Sequence, residues 1–341
     1  MLIVGTERSG SNLLRLILNS HSEIAVPHPP HLMRYLAPLE DSYGDLREER
    51  NLRALVADAD LLVRRHIHPW EHPVDREEVV RTADPSVFGV VSAFYEQYRR
   101  AEKKNRWGCK STFMVEHIDK VVDLYPRARF LWLVRDPRDV AVSAQRSVFG
   151  PSHPYRTARL WAAQQELGHS ALRRYGSGQV HFLRYEDLVS DPGYVLREVC
   201  DFLGVRWESG LLSHHRSAAA RNISALSESW AGAGKPIFGV SVGRYERELP
   251  ERQRALVESV AGPAMRELRY PVVPAQPACP PARLALLLSG ACTRLAIECR
   301  SLLHDRNFAR RFLRDGTVRW LGAKALVRRG LRRTGRDQLD H

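Results

Sequence analysis

The amino-terminal end of the chain carries the feature that most restricts its fold, a short apolar run followed directly by a glycine-bearing loop and a helix. Leu2, Ile3 and Val4 form an apolar run typical of a buried parallel strand. Residues 5–12 are rich in glycine, serine and asparagine, and leucine and isoleucine then recur at helical spacing. A strand, a loop and a helix in this order predict an α/β fold whose first loop can hold an anion.

Later parts of the chain repeat the same alternation. Residues 130–134 and 180–183 are apolar runs that end at charged residues, and residues 24–26 are a shorter run of the same kind. Helical patterns occupy residues 31–104 and 114–124. Strands that alternate with helices predict an α/β fold with a parallel β-sheet flanked by helices. Ligands of such sheets bind at the carboxyl ends of the strands, so we expect the site residues just after them.

The first loop has the chemistry of a phosphate cradle with one alteration. Gly5 and Gly10 make the G-x-x-x-x-G frame, but Ser11 and Asn12 stand where a nucleotide-hydrolysing loop has Lys and then Ser or Thr. Backbone amides and the helix N-terminus can still hold one phosphate, and Arg8 supplies a cation inside the loop. The pattern favours a donor with one 5′-phosphate beside a transferable group over ATP. A plain strand-to-helix turn is the alternative.

Residues 8–14 resemble the 5′-phosphosulfate loop of sulfotransferases that use 3′-phosphoadenylyl sulfate (PAPS). The resemblance is nearest to the branch that includes tyrosylprotein sulfotransferases and many bacterial members. It implies a P-loop-like sheet and a donor site that uses the following loop residues: Arg8, Ser9, Gly10, Ser11 and Asn12. It also implies PAPS as co-substrate.

A second motif lies at residues 134–143, Val-Arg-Asp-Pro-Arg-Asp-Val-Ala-Val-Ser. In the family that it resembles, the first arginine and the last serine hold the donor's 3′-phosphate, which implies this role for Arg135 and Ser143. A guanidinium fork suits a phosphate, and Ser143 follows about two helical turns later. The alternative is that Asp136 and Asp139 begin a helix and pair with nearby arginines.

Three further positions match the family more loosely. Lys110 lies in a segment similar to the family's Lys-Thr-Pro, although no proline follows Ser111. The match implies that Lys110 neutralises charge on the bridging oxygen as the sulfuryl group leaves, and a solvated lysine is the alternative. Tyr185, in Tyr-Glu-Asp-Leu, is expected near the adenine or the 3′-phosphate, with Glu186 organising the fold. Lys235 matches a basic residue of a loop that covers the donor.

Two assignments stay open, namely which serine of the covering loop contacts the donor and which residue is the catalytic base. The covering loop offers three serines without a choice among them, at positions 224, 227 and 229. The acceptor hydroxyl needs a base, and Pro29 stands where many relatives have a glutamate. His28 and His31 are the candidate bases because imidazole titrates near neutral pH. The alternatives are two surface histidines, a base from elsewhere, or a chain that binds donor and transfers poorly.

The net charge of +13 is concentrated at the carboxyl end. Residues 282–341 contain fourteen Arg or Lys and five Asp or Glu, so they predict a basic helical extension. Residues 271–281 are proline-rich and predict a linker after a sulfotransferase domain of residues 1–270. The extension can contact an anionic membrane or nucleic acid, or pack back on the body. The most apolar segment, residues 284–297, is too short to span a bilayer.

These observations predict transfer of a sulfuryl group from PAPS to a hydroxyl, and in second place to an amine, of a carbohydrate, lipid or other metabolite. Arg8 and Lys110 are expected to stabilise charge on the leaving group, so no metal is required. We expect no specific nucleic acid partner and a small-molecule or glycan acceptor. Five cysteines without a C-x-x-C pair indicate a reducing compartment, hence the cytoplasm, with contact at the inner membrane face as an option. A P-loop kinase or NTPase is the rival class.

Overall fold

The computed structural model describes most of the chain, including all of the expected strands. The described residues are 1–149, 151–237, 239–272 and 283–337, with side chains described except at 228, 283–290 and 331–337. They divide into two compact units. Unit 1 comprises residues 1–22 and 112–306, and unit 2 comprises residues 23–111 and 307–341.

The secondary structure follows the predicted alternation. The strands are β1 (Leu2–Gly5), β2 (Ile24–Ala25), β3 (Arg106–Trp107), β4 (Cys109–Lys110), β5 (Phe130–Val134) and β6 (Val180–Arg184). The α-helices are α1 (Ser11–Asn19), α2 (Leu32–Leu36), α3 (Glu40–Tyr43), α4 (Glu49–Arg64), α5 (Arg76–Thr82), α6 (Val87–Ala101), α7 (Ile118–Leu124), α8 (Pro137–Gln145), α9 (Pro154–Tyr175), α10 (Tyr185–Ser190), α11 (Pro192–Leu203), α12 (Ala218–Ser224), α13 (Tyr245–Glu248), α14 (Glu251–Glu267), α15 (Arg283–His304) and α16 (Phe308–Asp337). Short 3₁₀ helices occupy Ala37–Leu39, Thr112–His117, Ser209–Arg216, Glu228–Gly234 and Gly239–Ser241.

Unit 1 is built on parallel strands that end side by side. β1 pairs with β5 in parallel, with Gly5 opposite Leu133. β5 pairs with β6 in parallel, with Val134 opposite Arg184. β5 is buried along its whole length, as its uninterrupted apolar sequence requires. The predicted parallel α/β sheet is confirmed, and the residues that follow β1, β5 and β6 share one edge of it.

The core of unit 1 centres on Trp132 in β5, which is 1% exposed. Helix α9 lies close enough that a Cβ atom on Gly168 would come 2.3 Å from Trp132 Cε2. Trp132 Nε1 donates a hydrogen bond to Gln165 Oε1 at 2.9 Å, which satisfies the indole without water. Glycine at position 168 therefore sets how closely α9 approaches the sheet.

Unit 2 is mostly helical, with β2 and β3 paired in parallel. Helix α16 packs within it, because Leu321 and Ala325 are each 2% exposed. The buried carboxylate of Asp58 in α4 accepts hydrogen bonds from Lys324 Nζ at 2.7 Å and Arg328 Nη1 at 3.1 Å. These bonds stabilise the basic end of the chain against a helix of the same unit.

Some predicted elements differ from the observed ones. The helix predicted for residues 114–124 begins as a 3₁₀ turn, Thr112–His117, and becomes α-helical only at α7. β3 and β4 were not predicted, because two residues are too few to produce an alternating pattern. The predicted helical carboxyl end is confirmed by α15 and α16. Most of the expected linker lies outside the described residues, and the domain limits remain a prediction. Among the described helices none is long and apolar enough to cross a membrane.

Replacing Gly168 with alanine should destabilise unit 1. The added Cβ would overlap the Trp132 indole, and overpacking of this kind lowers the free energy of unfolding by about 1–3 kcal/mol. Urea unfolding followed by circular dichroism measures the change. The matched control is Gly193→Ala in α11, where the nearest atom would be 3.7 Å away. The control should be neutral or stabilising by up to about 1 kcal/mol; equal losses in both variants would contradict the close approach of α9.

Candidate active site

The loop between β1 and α1 is held in a conformation that depends on two glycines. Gly5 has a φ of +140° and a Cβ there would lie 2.2 Å from the Leu133 carbonyl oxygen. Gly10 has a φ of +89°, and its Cβ would lie 2.3 Å from Cδ2 of Tyr185. A larger residue at either position would therefore strain the backbone and collide with a neighbouring strand or ring. The predicted loop glycines are required by its shape.

Helix α1 begins at this loop with its first turn uncapped. Gly10 is the N-cap residue, and no side chain accepts a hydrogen bond from the first amides. Ser9 is fully buried, and its Oγ has no hydrogen-bond partner among the described residues. Unpaired amides at a helix N-terminus attract an anion, and a buried hydroxyl without a partner is rare in a folded protein. The loop therefore suits a bound phosphate.

Arg8 is the cation inside the loop, and its backbone is strained. Its φ is +70°, a left-handed value that few non-glycine residues adopt. Its Nε donates to Ser143 Oγ at 3.0 Å and its Nη2 donates to the Ser229 carbonyl at 3.1 Å. Burial lowers the pKa of Arg8 to about 10, with Arg135 lowering it further and Glu7 opposing the change. The guanidinium therefore stays charged at neutral pH.

Arg135 follows β5 and is buried, with 5% exposure. Its Nη1 donates to the Arg8 carbonyl at 3.1 Å, and its Nη2 donates to the Ser241 carbonyl at 2.5 Å. The guanidinium lies over the Tyr185 ring, 4.5 Å from its centroid. Its Nε is buried without a hydrogen-bond partner among the described residues. The hydrogen on Nε therefore has no acceptor among the described residues and is available to a ligand.

Asp139 in α8 fixes residues 243–245, where α13 begins. Its carboxylate accepts hydrogen bonds from the backbone amides of Gly243 at 2.8 Å and Tyr245 at 2.9 Å. Burial raises the pKa of the Asp139 carboxyl above its ordinary value, although the charge of Arg135 acts in the opposite direction. The sequence motif indicated Asp139 only as a helix-start residue, because its backbone partners lie more than a hundred positions away.

A series of buried hydrogen bonds connects the loop after β1 to α9 and β5. Gln165 Nε2 donates to Thr6 Oγ1 at 2.7 Å, while its Oε1 accepts from Trp132. One turn earlier in α9, Trp161 Nε1 donates to the Arg135 carbonyl at 2.9 Å. Sequence analysis missed Trp161 and Gln165. Their signal was a polar residue four positions after a tryptophan on the inward face of a helix, a spacing that aligns side chains.

Several other predicted residues organise the same edge. Asp136 caps α8 and pairs with Arg138 at 2.7 Å, which matches the pairing that was the structural alternative for this motif. Glu186 accepts from the Asp136 amide at 2.9 Å and from the Tyr270 hydroxyl at 2.9 Å, in line with an organising role. Of the three serines at positions 224, 227 and 229, Ser229 accepts a hydrogen bond from Arg8 through its carbonyl. Lys235 is exposed.

The predicted base His31 and Lys110 both lie in unit 2. His31 Nδ1 is 3.1 Å from Ser111 Oγ, and its φ of +53° is again left-handed. Burial lowers the pKa of His31 well below its ordinary value, and the charges of Lys110 and His66 lower it further. Lys110 therefore acts electrostatically on His31, and the imidazole is neutral at physiological pH.

His28 belongs to a cluster of histidines. Its ring stacks on His68 with centroids 5.4 Å apart and lies 5.1 Å from the ring of His66. It is 7% exposed, and its carbonyl accepts a hydrogen bond from Trp70 Nε1 at 2.8 Å. Burial lowers the pKa of His66 to about 3. His28 is thus packed among rings, whereas His31 is partly exposed.

The structure brings the predicted residues together in two groups. In unit 1, Arg8, Arg135 and Ser143 meet around the loop, with Tyr185 against Gly10. Ser143 contacts Arg8, so Arg8 stands between the two members of the predicted 3′-phosphate pair. In unit 2, His31 and Lys110 interact, and the His28 ring lies in the adjoining histidine cluster.

Comparison with known proteins gives three concordant findings. A model of the sulfotransferase family matches residues 1–209. A protein-tyrosine sulfotransferase of Drosophila melanogaster is 23% identical over 258 residues, which cover 73% of this chain and 47% of the fly protein. Protein-tyrosine sulfotransferase A of Caenorhabditis elegans is 21% identical over 279 residues, covering 79% of this chain and 67% of the worm protein. The chain thus spans about half the length of the fly relative.

A solved structure supports the fold in particular. The sulfotransferase domain of the olefin synthase from Synechococcus PCC 7002 superposes with a TM-score of 0.54 at 22% identity. The superposition covers 80% of this chain and 94% of that domain. The expected fold is confirmed by this similarity.

Acidification should destabilise the protein through His66. Its pKa is about 3 in the folded state against an ordinary 6.5, so the unfolded chain binds the proton first as the pH falls. Stability is complete above about pH 6.5 and declines below it, by on the order of 2 kcal/mol at pH 5. Urea unfolding between pH 8 and pH 5 measures the slope. His66→Asn should make the slope shallower and leave the part that His31, whose pKa burial also lowers, contributes. His304→Asn, at an exposed position, should leave the slope unchanged. A flat profile in the unaltered protein would contradict the buried neutral histidine.

Proposed function

We propose that this chain, which belongs to the sulfotransferase family, transfers a sulfuryl group from PAPS to a hydroxyl group of a carbohydrate, lipid or other metabolite. The observation that carries the proposal is a pair of buried donors that have no hydrogen-bond partner among the described residues, Ser9 Oγ and Arg135 Nε. Both belong to the edge of the sheet where Arg8 and the first turn of α1 are located. Such donors suit the phosphates of a nucleotide.

The donor residues divide into two sets. The first is the loop of residues 8–12 with the amides of α1, which suits the 5′-phosphosulfate end. The second is Arg135, which suits the 3′-phosphate through its Nε and its guanidinium plane. The ring of Tyr185 packs against the guanidinium of Arg135. Ser143 would contribute to donor binding in one of two ways. It would orient Arg8, or it would exchange its hydrogen bond with Arg8 for one to the donor.

The reaction transfers one group and one proton. The acceptor oxygen bonds to sulfur while the bond between sulfur and the bridging oxygen of the 5′-phosphate breaks. The leaving group is 3′,5′-ADP, and its new negative charge suits the cation of Arg8. Lys110 is proposed to stabilise the same charge. The hydroxyl proton passes to a base, which leaves a sulfate ester.

His31 is the better candidate for this base. Its imidazole is neutral at physiological pH and can accept a proton, and its depressed pKa makes it a weaker base than an ordinary histidine. It is partly exposed, whereas His28 is enclosed by His66 and His68. The Ser111 hydroxyl at 3.1 Å orients the imidazole. Pro29, which replaces the glutamate of many relatives, leaves this role to a neighbour.

A groove of about 660 Å³ in unit 2 supports an acceptor with hydroxyl groups. It is lined by Trp70, His72 and charged residues such as Asp60 and Arg76. An aromatic face with polar groups around it suits a sugar or another polyhydroxylated molecule. The Trp70 indole links this groove to the segment of the candidate bases through its bond to the His28 carbonyl.

Nucleotide binding separates this function from a kinase or NTPase. We expect 3′,5′-ADP to bind without metal and more tightly than ATP with Mg²⁺, because no lysine follows Gly10 to reach a γ-phosphate. Arg135→Ala should weaken 3′,5′-ADP by about 10- to 100-fold, as expected for a lost hydrogen bond to a charged group. The same variant should change the affinity for 5′-AMP much less. Isothermal titration calorimetry measures all of these affinities.

The matched control is Arg127→Ala, an exposed arginine just before β5. It should bind both nucleotides like the unaltered protein. Preference for ATP with Mg²⁺ would overturn the sulfotransferase assignment. Equal losses for 3′,5′-ADP and 5′-AMP in Arg135→Ala would overturn only the 3′-phosphate role.

The identity of the base can be tested by turnover at saturating PAPS. His31→Ala should lower kcat by about 100- to 10,000-fold, the usual contribution of a general base. His28→Ala should lower it far less. The rate of the unaltered enzyme should stay constant from pH 8 down through 6.5, because the depressed pKa keeps His31 neutral there. A rate that falls by half near pH 6.5, or an unimpaired His31→Ala, would exclude His31.

A further inference from the structure

Helix α16 buries charged side chains beside the apolar Leu321 and Ala325, and it leaves most of its large apolar side chains exposed. Charged side chains face the protein: Arg311 is 3% exposed, and Lys324 and Arg328 bond to buried Asp58. A surface helix normally buries its apolar stripe and exposes its charges. The large apolar side chains on the outward face of α16 therefore take little part in packing within unit 2.

The outward face is a broad apolar stripe. Its five large members, which recur at helical spacing and are 48–68% exposed, are Phe312, Leu313, Trp320, Leu326 and Val327. Small residues fill the positions between them, and they are also exposed: Ala309, Gly316 and Ala323. Isolated exposed apolar residues need no explanation, but a continuous stripe marks an interaction surface.

Trp320 is held at the centre of this stripe. Lys324 Nζ lies 4.7 Å from its ring centroid, and the same ammonium bonds to Asp58. The indole is half exposed, so its apolar body faces outward while one ring face contacts the lysine. An amphipathic aromatic ring in this position suits the boundary between water and hydrocarbon.

Exposed arginines border the stripe. Arg310 lies on one edge and Arg319 on the other, and both are exposed. Residues 308–330 contain seven Arg or Lys and a single aspartate, so the surroundings of the stripe are strongly positive. An apolar centre with cationic borders is complementary to an anionic lipid surface.

We propose that the outward face of α16 docks on an anionic membrane, with the helix lying in the headgroup region. Phe312, Trp320 and Leu326 would enter the acyl boundary, while Arg310 and Arg319 contact lipid phosphates. The helix has 30 residues and so extends about 45 Å along the surface. It lies on the membrane and does not span it, since its inward face remains bonded to unit 2.

The composition of the stripe argues against the other occupants. A second copy of α16 would bring the arginines at the borders, which carry like charges, close together. Nucleic acid would leave the five large apolar side chains of the stripe in water, because its backbone presents phosphates and no apolar surface. An anionic lipid surface can bury the whole width of the apolar stripe and attract the arginines at its borders.

Sedimentation of the full chain with vesicles tests the proposal independently of the sulfotransferase activity. The probe is vesicles of phosphatidylcholine with or without phosphatidylglycerol. We expect binding only to the anionic vesicles. Leu326→Ser with Val327→Ser should weaken it about 10- to 100-fold, since two exposed apolar side chains no longer enter the bilayer. Arg319→Ser should weaken it about 5-fold, with a smaller salt dependence.

The matched control is Leu124→Ser with Leu167→Ser, because these leucines are each 41% exposed but belong to unit 1. The control should bind vesicles like the unaltered protein, and thermal unfolding should be alike for all variants. Absence of vesicle binding by the unaltered protein overturns the proposal. A concentration-dependent dimer that the serines at 326 and 327 dissociate also overturns it, as does duplex DNA binding without vesicle binding.

Discussion

The guanidinium of Arg135 joins segments that are far apart in the sequence. It donates to the Arg8 carbonyl of the first loop and to the Ser241 carbonyl of the covering segment, and it lies over Tyr185 after β6. Its own carbonyl is fixed by Trp161. These contacts are possible because β1, β5 and β6 end in register, with Gly5, Leu133 and Leu183 level. The candidate donor site is therefore a product of strand pairing, and a shift of register would separate its parts.

Steric and polar constraints act on the loop from opposite sides. Gly10 admits the Tyr185 ring from one side, since any Cβ would occupy the space of that ring. From below, Gln165 bonds to Thr6 and to the buried Trp132. A buried amide that satisfies both partners fixes its orientation strongly, because an unpaired polar group costs about 1–3 kcal/mol there. The left-handed backbone of Arg8 is maintained by this surrounding structure.

Local patterns predicted the fold well, whereas the donor-binding role of the loop residues stays a prediction. Apolar runs located β1, β5 and β6, and the glycine frame with Arg8 located the loop, since both are encoded in neighbouring residues. The bond between Arg8 and Ser143 and the role of Asp139 were not predictable, because carbonyl and amide partners leave no mark in a sequence. The histidine cluster around His28 likewise depends on segments about forty positions apart. Long-range pairing supplies what single-sequence patterns lack.

Arg135 satisfies two of its three nitrogens with carbonyls of the protein itself. Each terminal nitrogen of a guanidinium carries two hydrogens, so Nη1 and Nη2 can each keep one carbonyl and still offer a second hydrogen to a phosphate. The Arg8 and Ser241 carbonyls therefore fix the plane of the guanidinium before any ligand arrives. The conformational entropy that a flexible arginine would lose on binding an anion has here already been lost during folding, and the site is to that extent preorganised.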